Sequence, residues 1–232
     1  MRKFAWLSPG LWWRLLGWVT IVYLVFVLLF VIPLRVVNPP VTAFMLQQTD
    51  AGQRRYQWAP LDGISAYAAL AVIASEDQRF FVHNGIDLGA IEQALSEDAG
   101  AARGASTMTQ QLVKNLYLWP GRSLLRKGLE AGLALTVDAL VPKQRILELY
   151  LNVVEFGPGI YGVPAASEHF FAKTPDRLKL PEAALLATAL PNPAAYRVDE
   201  PSDYMRERQR WTMQQMLRLE REGLADKFTG TR

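Results

Sequence analysis

Two carboxylates stand side by side at Glu76-Asp77, where the apolar run AYAALAVI gives way to ASEDQRFFVHNG. A buried helix that ends in carboxylates either reaches solvent or delivers an acid or a base to a cleft. Another carboxylate, Glu130, follows Arg126 by four residues and Lys127 by three in RKGLE, so on a helix the three share a face. On a solvated surface this would be an ion-pair cluster contributing ~0.3–0.5 kcal/mol. Its setting is the nearly all-apolar LEAGLALTVDAL, in which a carboxylate needs cationic partners. Between the two acidic sites lies GASTMTQQLVKN. Thr107 and Gln110 make a T-x-x-Q capping box there, which predicts a helix start with oriented N–H groups and a positive dipole end. Gln110, Gln111 and Lys114 share a side of that helix, a surface suited to an anionic, hydrogen-bonding ligand such as a phosphate.

Other chemistries find no support in the residues. With no cysteine, disulfides, thiolate metal sites and a cysteine nucleophile are excluded. His83 and His169 lack the spacing of a metal pair, and no G-x-S-x-G elbow marks a serine hydrolase. The net charge of +3 is a property of the N-terminus: Arg2, Lys3 and Arg14 precede Arg35 with no acid among them, leaving 22 basic residues against 22 acidic in the remainder. No basic stripe interleaved with aromatics follows, so nucleic acid is not an expected partner.

The elements that must position these residues are mostly helical. Leu15 to Leu34 is twenty residues without a charge, the length of a bilayer-spanning helix. A cleaved leader would carry a shorter apolar run and a small-residue site where Val36-Val37-Asn38-Pro39-Pro40 stands. The basic residues before the span place the N-terminus in the cytoplasm. The expected organisation is a cytoplasmic tail (1–14), a transmembrane helix (15–34), a linker (35–50) and one domain (51–232). Helical patterns cover AYAALAVIASEDQRFF, DLGAIEQALSEDAG, STMTQQLVKNLYL, SLLRKGLEAGLALTVDAL, KQRILELYLNVV, LPEAALLATAL and DYMRERQRWTMQQMLRLEREG. In the last of these Met213, Met216 and Leu217 are expected to face inward. One short strand is expected within Gln53 to Trp58, and KQRILELYLN with the glycine-rich turn after it reads as scaffold.

Taken in order, EDQRFFVHNGID, GASTMTQQLVKN, RKGLE, KQRILELYLN and PEAALLATALPNP resemble the five successive motifs of the peptidoglycan glycosyltransferases. That family includes monofunctional transglycosylases and the glycan-polymerising domain of class A penicillin-binding proteins. The resemblance spans Ile64 to Val198. No serine stands three before a lysine and Lys-Thr-Gly is absent, so no transpeptidase domain is expected. Phe170 departs from the family pattern, standing where a tyrosine is expected.

The resemblance implies a mostly α, lysozyme-like glycosyltransferase domain, with a head, a membrane-associated jaw and one N-terminal transmembrane helix. It implies that lipid II is polymerised into β-1,4 glycan with inversion and release of undecaprenyl pyrophosphate. It gives catalytic roles to Glu76, as base, and to Glu130. Substrate-binding roles fall to Asp77, Phe80, His83, Thr107, Gln111, Lys114, Arg126 and Lys127. No cofactor is obligatory, no protein metal site is expected, and a magnesium or manganese ion could ride on the pyrophosphate. Expected partners are lipid II, the growing glycan, membrane lipid, and proteins of cell-wall synthesis or division. The expected location is the bacterial inner membrane with the catalytic domain in the periplasm. Leu118, Trp119, Leu124 and Leu125 are expected to form an apolar patch on the bilayer. Two other classes remain open to the residues alone. A lytic, lysozyme-like hydrolase would use Glu76 as an acid but has no need of three cations. A scaffold that had lost catalysis would be expected to lack one of these polar groups.

Overall fold

The computed structural model of the chain describes residues 9–48, 52–96, 106–121 and 123–229. Helix α1 (Pro9–Phe26) continues through a π-helical turn, Val27–Val31, and a 3-10 turn, Ile32–Arg35. Together, Leu11–Arg35 is long and apolar enough to cross a membrane. Most of its large side chains, Trp12, Trp13 and Trp18 among them, are exposed, which an apolar helix tolerates only against lipid. Arg2 and Lys3, on which the expected orientation rests, lie outside the described residues.

After the Pro39-Pro40 break come α2 (Ala43–Gln48), α3 (Ala66–Glu76), α4 (Leu88–Ser96), α5 (Met108–Tyr117), α6 (Leu124–Leu140) and α7 (Lys143–Val153). They are followed by α8 (Gly162–Phe171), α9 (Leu180–Ala189), α10 (Asp203–Arg221) and the short α11 (Asp226–Thr229). The fold is mostly α, as the sequence predicts. Segment 35–50, expected to be a linker, carries α2, which packs on α5 and buries Met45 completely.

Helix α3 is the centre of the body. Its residues Ala68 to Ala74 are all buried, and α9, α10 and α7 pack around it. Helices α3 and α9 are apolar on every side because neither has a face toward water. Helix α10 covers them with one stripe, Met205, Thr212, Met216 and Leu219, and turns its charges outward. Leu217 is a correction: it lies about 100° off that stripe and is exposed, while Met213 is half-buried.

Helix α8 is absent from the expected elements, because Gly162 and Pro164 look like the end of the preceding turn. Proline is well placed in a first helical turn, and residues 162–167 are all buried. Strands β1 (Arg55–Tyr56), β2 (Glu155–Gly157) and β3 (Ile160–Tyr161) form a small sheet in the order β1-β3-β2. The pair β1–β3 is parallel and β2–β3 antiparallel. The turn into α8 requires glycine at position 162, where φ is +81° and a Cβ would fall 2.3 Å from the Asn152 carbonyl oxygen. Phe170 packs its ring on Gly157, where an added Cβ would meet the ring at 3.2 Å.

The apolar span is fastened to the body. The Tyr117 hydroxyl donates to the Phe30 carbonyl (2.7 Å) in the π-helical turn, and the Phe26 ring meets Tyr117 edge-on at 5.2 Å. At the end of the span, Arg145 on α7 donates to the carbonyls of Leu34 (2.8 Å) and Val37 (2.9 Å) and to Asn38 Oδ1 (2.8 Å). A cation on the last carbonyls of a helix is favourable for both hydrogen bonding and dipole. Of the expected apolar patch, Trp119 (44 % exposed), Leu124 (93 %) and Leu125 (72 %) are exposed, and Leu129 (44 %), which was not expected, joins them. Leu118 does not join them: it is 5 % exposed and belongs to the core.

Candidate active site

The site begins with the way α3 ends. Asp77, just past its last turn, is buried and accepts from His83 Nε2 at 2.9 and 3.0 Å and from the backbone N–H of Met108 at 3.0 Å. Its carboxylate therefore ties the C-terminus of α3 to the first turn of α5, where negative charge is favoured. The predicted capping box is present. Thr107 Oγ1 accepts from the Gln110 backbone (3.2 Å) and donates to the Gly85 carbonyl (2.6 Å), while Gln110 Oε1 accepts from Thr107 N–H (3.0 Å). Phe80 lies beneath, fully buried, with Lys143 Nζ over its ring at 4.5 Å. Four residues expected to bind substrate, Asp77, Phe80, His83 and Thr107, thus lie in the floor. Its three polar members, Asp77, His83 and Thr107, have partners within the protein, Asp77 and Thr107 also border the cavity beside Glu76, and Phe80 has no exposed surface.

On this floor stands Glu76, half-buried. Its Oε2 accepts from Gln111 Nε2 (3.0 Å) and its Oε1 from Ser75 Oγ (3.0 Å). Burial pushes its carboxyl above the ordinary range. The Gln111 and Ser75 donors and the Arg208 charge oppose that rise, and Asp77 adds to it. Gln111 is held in turn by Tyr150, whose hydroxyl donates to its Oε1 at 2.8 Å.

The other carboxylate, Glu130, is 3 % exposed. Arg126 Nη1 donates to its Oε2 at 2.9 Å, and Lys127 Nζ to its Oε1. Lys127 also donates to Ser106 Oγ (2.6 Å), which joins the start of the α5 segment to α6. The i,i+4 and i,i+3 spacings read from RKGLE are realised on α6, which starts at a Ser123 cap. Arg126 Nε is buried without a hydrogen-bond partner, a donor that an incoming anion could satisfy.

Lys114, half-buried on α5, feels the charges of both carboxylates. Burial draws its pKa below the ordinary lysine range. The charge of Glu130 opposes this, Arg126 and Lys127 reinforce it, and Glu76 opposes it. Its ammonium sits 5.4 Å from the Phe44 ring of α2. Two cavities flank these groups. One, of about 190 Å³, is bordered by Glu76, Arg79, Ser106 and Thr107. The other, of about 540 Å³, runs between Phe44, Gln47, Glu155 and the Asn192-Pro193 loop. Glu155 is pushed above the usual carboxylate range by burial, against hydrogen bonds from Gly159 and Tyr161 and the Lys114 charge. Among the described residues, no group of three or more His, Cys, Asp or Glu could hold a metal ion.

The structure thus gathers Glu76, Gln111, Lys114, Arg126, Lys127 and Glu130 around one cleft. Ser75, Ser106, Tyr150, Glu155 and Arg208 join them without having been singled out in the sequence. Ser106 could have been found from its place beside the capping box. Tyr150 and Arg208 carry no local signal, since they reach the site only through the packing of α7 and α10.

Residues 43–217 match the family model described as "Transglycosylase". The chain is 50% identical over 214 residues to the biosynthetic peptidoglycan transglycosylase of Shewanella amazonensis, covering 89% of this chain and 87% of that protein. Its likeness to the protein of the same name from Marinomonas sp. is 50% over 199 residues, covering 84% and 88%. For the one from Yersinia pseudotuberculosis it is 53% over 165 residues, covering 70% and 68%. With a helical body, a single candidate membrane span among the described residues, and two carboxylates set among cations in one cleft, the chain belongs to the transglycosylase family, whose members are glycosyltransferases.

Proposed function

We propose that the chain polymerises lipid II into β-1,4-linked peptidoglycan, releasing undecaprenyl pyrophosphate, and has no transpeptidase activity. The observation that supports this most directly is the position of Ser106. It borders the cavity of Glu76 and accepts from Lys127 of the Glu130 cluster at 2.6 Å, so the group suited to take a proton and the groups suited to hold an anion meet at one space. In that space Glu76 removes the proton from the 4-hydroxyl of the acceptor sugar as its oxygen attacks the anomeric carbon of the donor. The bond to the pyrophosphate breaks on the opposite face, which inverts the centre.

Negative charge grows on the departing pyrophosphate. Arg126, Lys127 and Lys114 stabilise it, Arg126 with a guanidinium whose Nε is still free and Lys114 as a point charge. Glu130 holds the two cations of α6 in place between turnovers. No cofactor is obligatory on this reading, and a divalent ion would belong to the pyrophosphate. On this reading the protein sits in a bacterial inner membrane with its N-terminus cytoplasmic and its cleft periplasmic, a placement supported by the apolar span and by the basic residues that precede it. Partners would be lipid II, the growing glycan, membrane lipid, and other proteins of wall synthesis or division.

The test is to give the purified full chain, in detergent, either lipid II or preformed glycan. Polymer from lipid II is expected, and Glu76→Gln should lower turnover by ~10²–10⁴-fold, the usual worth of a general base. Digestion of finished glycan, or near-normal turnover by Glu76→Gln, would overturn the reading.

A further inference from the structure

A general base must be held equally well before and after it takes its proton, and a carboxylate makes this difficult. As an anion it accepts hydrogen bonds only; once protonated, one of its oxygens becomes a donor. A rigid donor aimed at that oxygen would then face another donor. Glu76 is contacted by Gln111 Nε2 at 3.0 Å, on a side chain whose other end receives the Tyr150 hydroxyl at 2.8 Å. Tyr150 is fully buried on α7, so its hydroxyl has no water to turn to. The three groups form a line across α7, α5 and α3: tyrosine, amide, carboxylate.

The chemistry of the line allows two states. A side-chain amide has a donor end and an acceptor end, and a phenol can donate or accept. With Glu76 ionised, the tyrosine donates to Gln111 Oε1 and the amide nitrogen donates to Glu76. With Glu76 protonated, the amide can turn end for end. The carboxyl O–H then donates to Oε1, and Nε2 donates to the tyrosine oxygen. The first state satisfies every group in the line; in the second the tyrosine oxygen accepts and its own O–H loses the Gln111 acceptor, so Tyr150 favours the first, and the change between them is a rotation about the last bond of one side chain. Ser75, on the other carboxylate oxygen, is a hydroxyl and also works in either sense.

We propose that Tyr150 is a positioning residue for Glu76, and that the Gln111 amide between them reverses as Glu76 gains the proton of the attacking hydroxyl and reverses again as it loses it. The inference rests on Glu76 being the base. Other charges face Glu76: Asp77 beside it, Arg208 from α10 and Lys114 from α5. None of these is altered by a change at Tyr150. Replacing the tyrosine hydroxyl removes the group that favours the amide-nitrogen-toward-Glu76 state, so the protonated form of Glu76 gains.

The experiment is the pH dependence of lipid II polymerisation by full-length wild type, Tyr150→Phe, Gln111→Met and the double variant. In Tyr150→Phe the acid limb of kcat should move upward by on the order of 0.5–1 pH unit, the worth of one neutral hydrogen bond. The plateau at higher pH should fall less than about tenfold. The double variant should keep the limb of Gln111→Met, because Tyr150 acts through the amide alone. A loss uniform in pH, or limb shifts that add in the double variant, would overturn the proposal. Infrared titration of the Glu76 carboxyl, assigned by its disappearance in Glu76→Gln, gives the same shift without turnover. A clear shift there with full activity in Glu76→Gln would preserve the hydrogen-bonded line and remove the base. Should Tyr150→Phe fail to fold, Gln111→Met must by itself raise the Glu76 limb; an unmoved limb would sink the idea.

Discussion

Glu76 is held where burial opposes its charge, and Gln111, Ser75 and Arg208 restore only part of what is lost. The sign of the consequence for stability follows from linkage. A carboxyl raised in the folded state binds its proton more tightly there than when unfolded. Its contribution is therefore present at low pH and is lost as pH rises through the folded value, leaving an ionised Glu76 unfavourable at neutrality. Glu76→Gln should accordingly raise the melting temperature at pH 7 even as it lowers turnover, and the gain should shrink as the pH is lowered; calorimetry across pH checks the stability change. The cations predict a different pattern. Lys114→Ala and Arg126→Ala should lower kcat by ~10²-fold or more with a smaller change in KM, if they act on charge that develops as the pyrophosphate leaves. Steady-state kinetics showing a raised KM with unchanged kcat would make them ground-state contacts. The sequence revealed Arg126, Lys127 and Glu130 by their spacing within one helix and Lys114 by its place beside Gln110 and Gln111, while Glu76 stood out only as the end of an apolar run and through the resemblance. It could not separate the groups that border the cleft from those beneath it. Phe80 and His83 lie in the same motif as Glu76 and Asp77, and only packing decides which side chains are covered.

At the scale of elements, helices with a capping signal or a strong apolar rhythm were legible: α5 with its capping box, α6 with its serine cap, and α7, α9 and α10. Helix α8 was not, since Gly162 and Pro164 carry turn chemistry that here serves a helix start. The sheet offered little signal, as strands of two or three residues have no period to read. Glycines separate the two kinds of site. Gly162→Ala places a methyl group against backbone at a positive φ and should cost more than about 4 kcal/mol, seen as lost folded yield. Gly128→Ala meets nothing within 4 Å inside α6 and should stabilise by ~0.5–1 kcal/mol through helix propensity alone, read from the thermal melt.

At the scale of the molecule, the exposed residues Trp119, Leu124, Leu125 and Leu129 flank the apolar span and extend its lipid-compatible surface onto the body. A nitroxide at position 125 of the full chain in bilayers should be more accessible to oxygen than to a polar nickel complex. The reverse order would place this surface in water. The span itself was legible from length and absence of charge. The way it is fastened was not, because Arg145 reads as one more cation on an amphipathic helix. Arg145, Tyr117 and Tyr56 hold four backbone carbonyls between Phe30 and Pro39. That region therefore acts as a bracket rather than a tether. Under the proposed function it would hold the cleft at one height above the lipid, so that a lengthening product would slide past a stationary mouth while the protein drifts sideways in the plane of the bilayer.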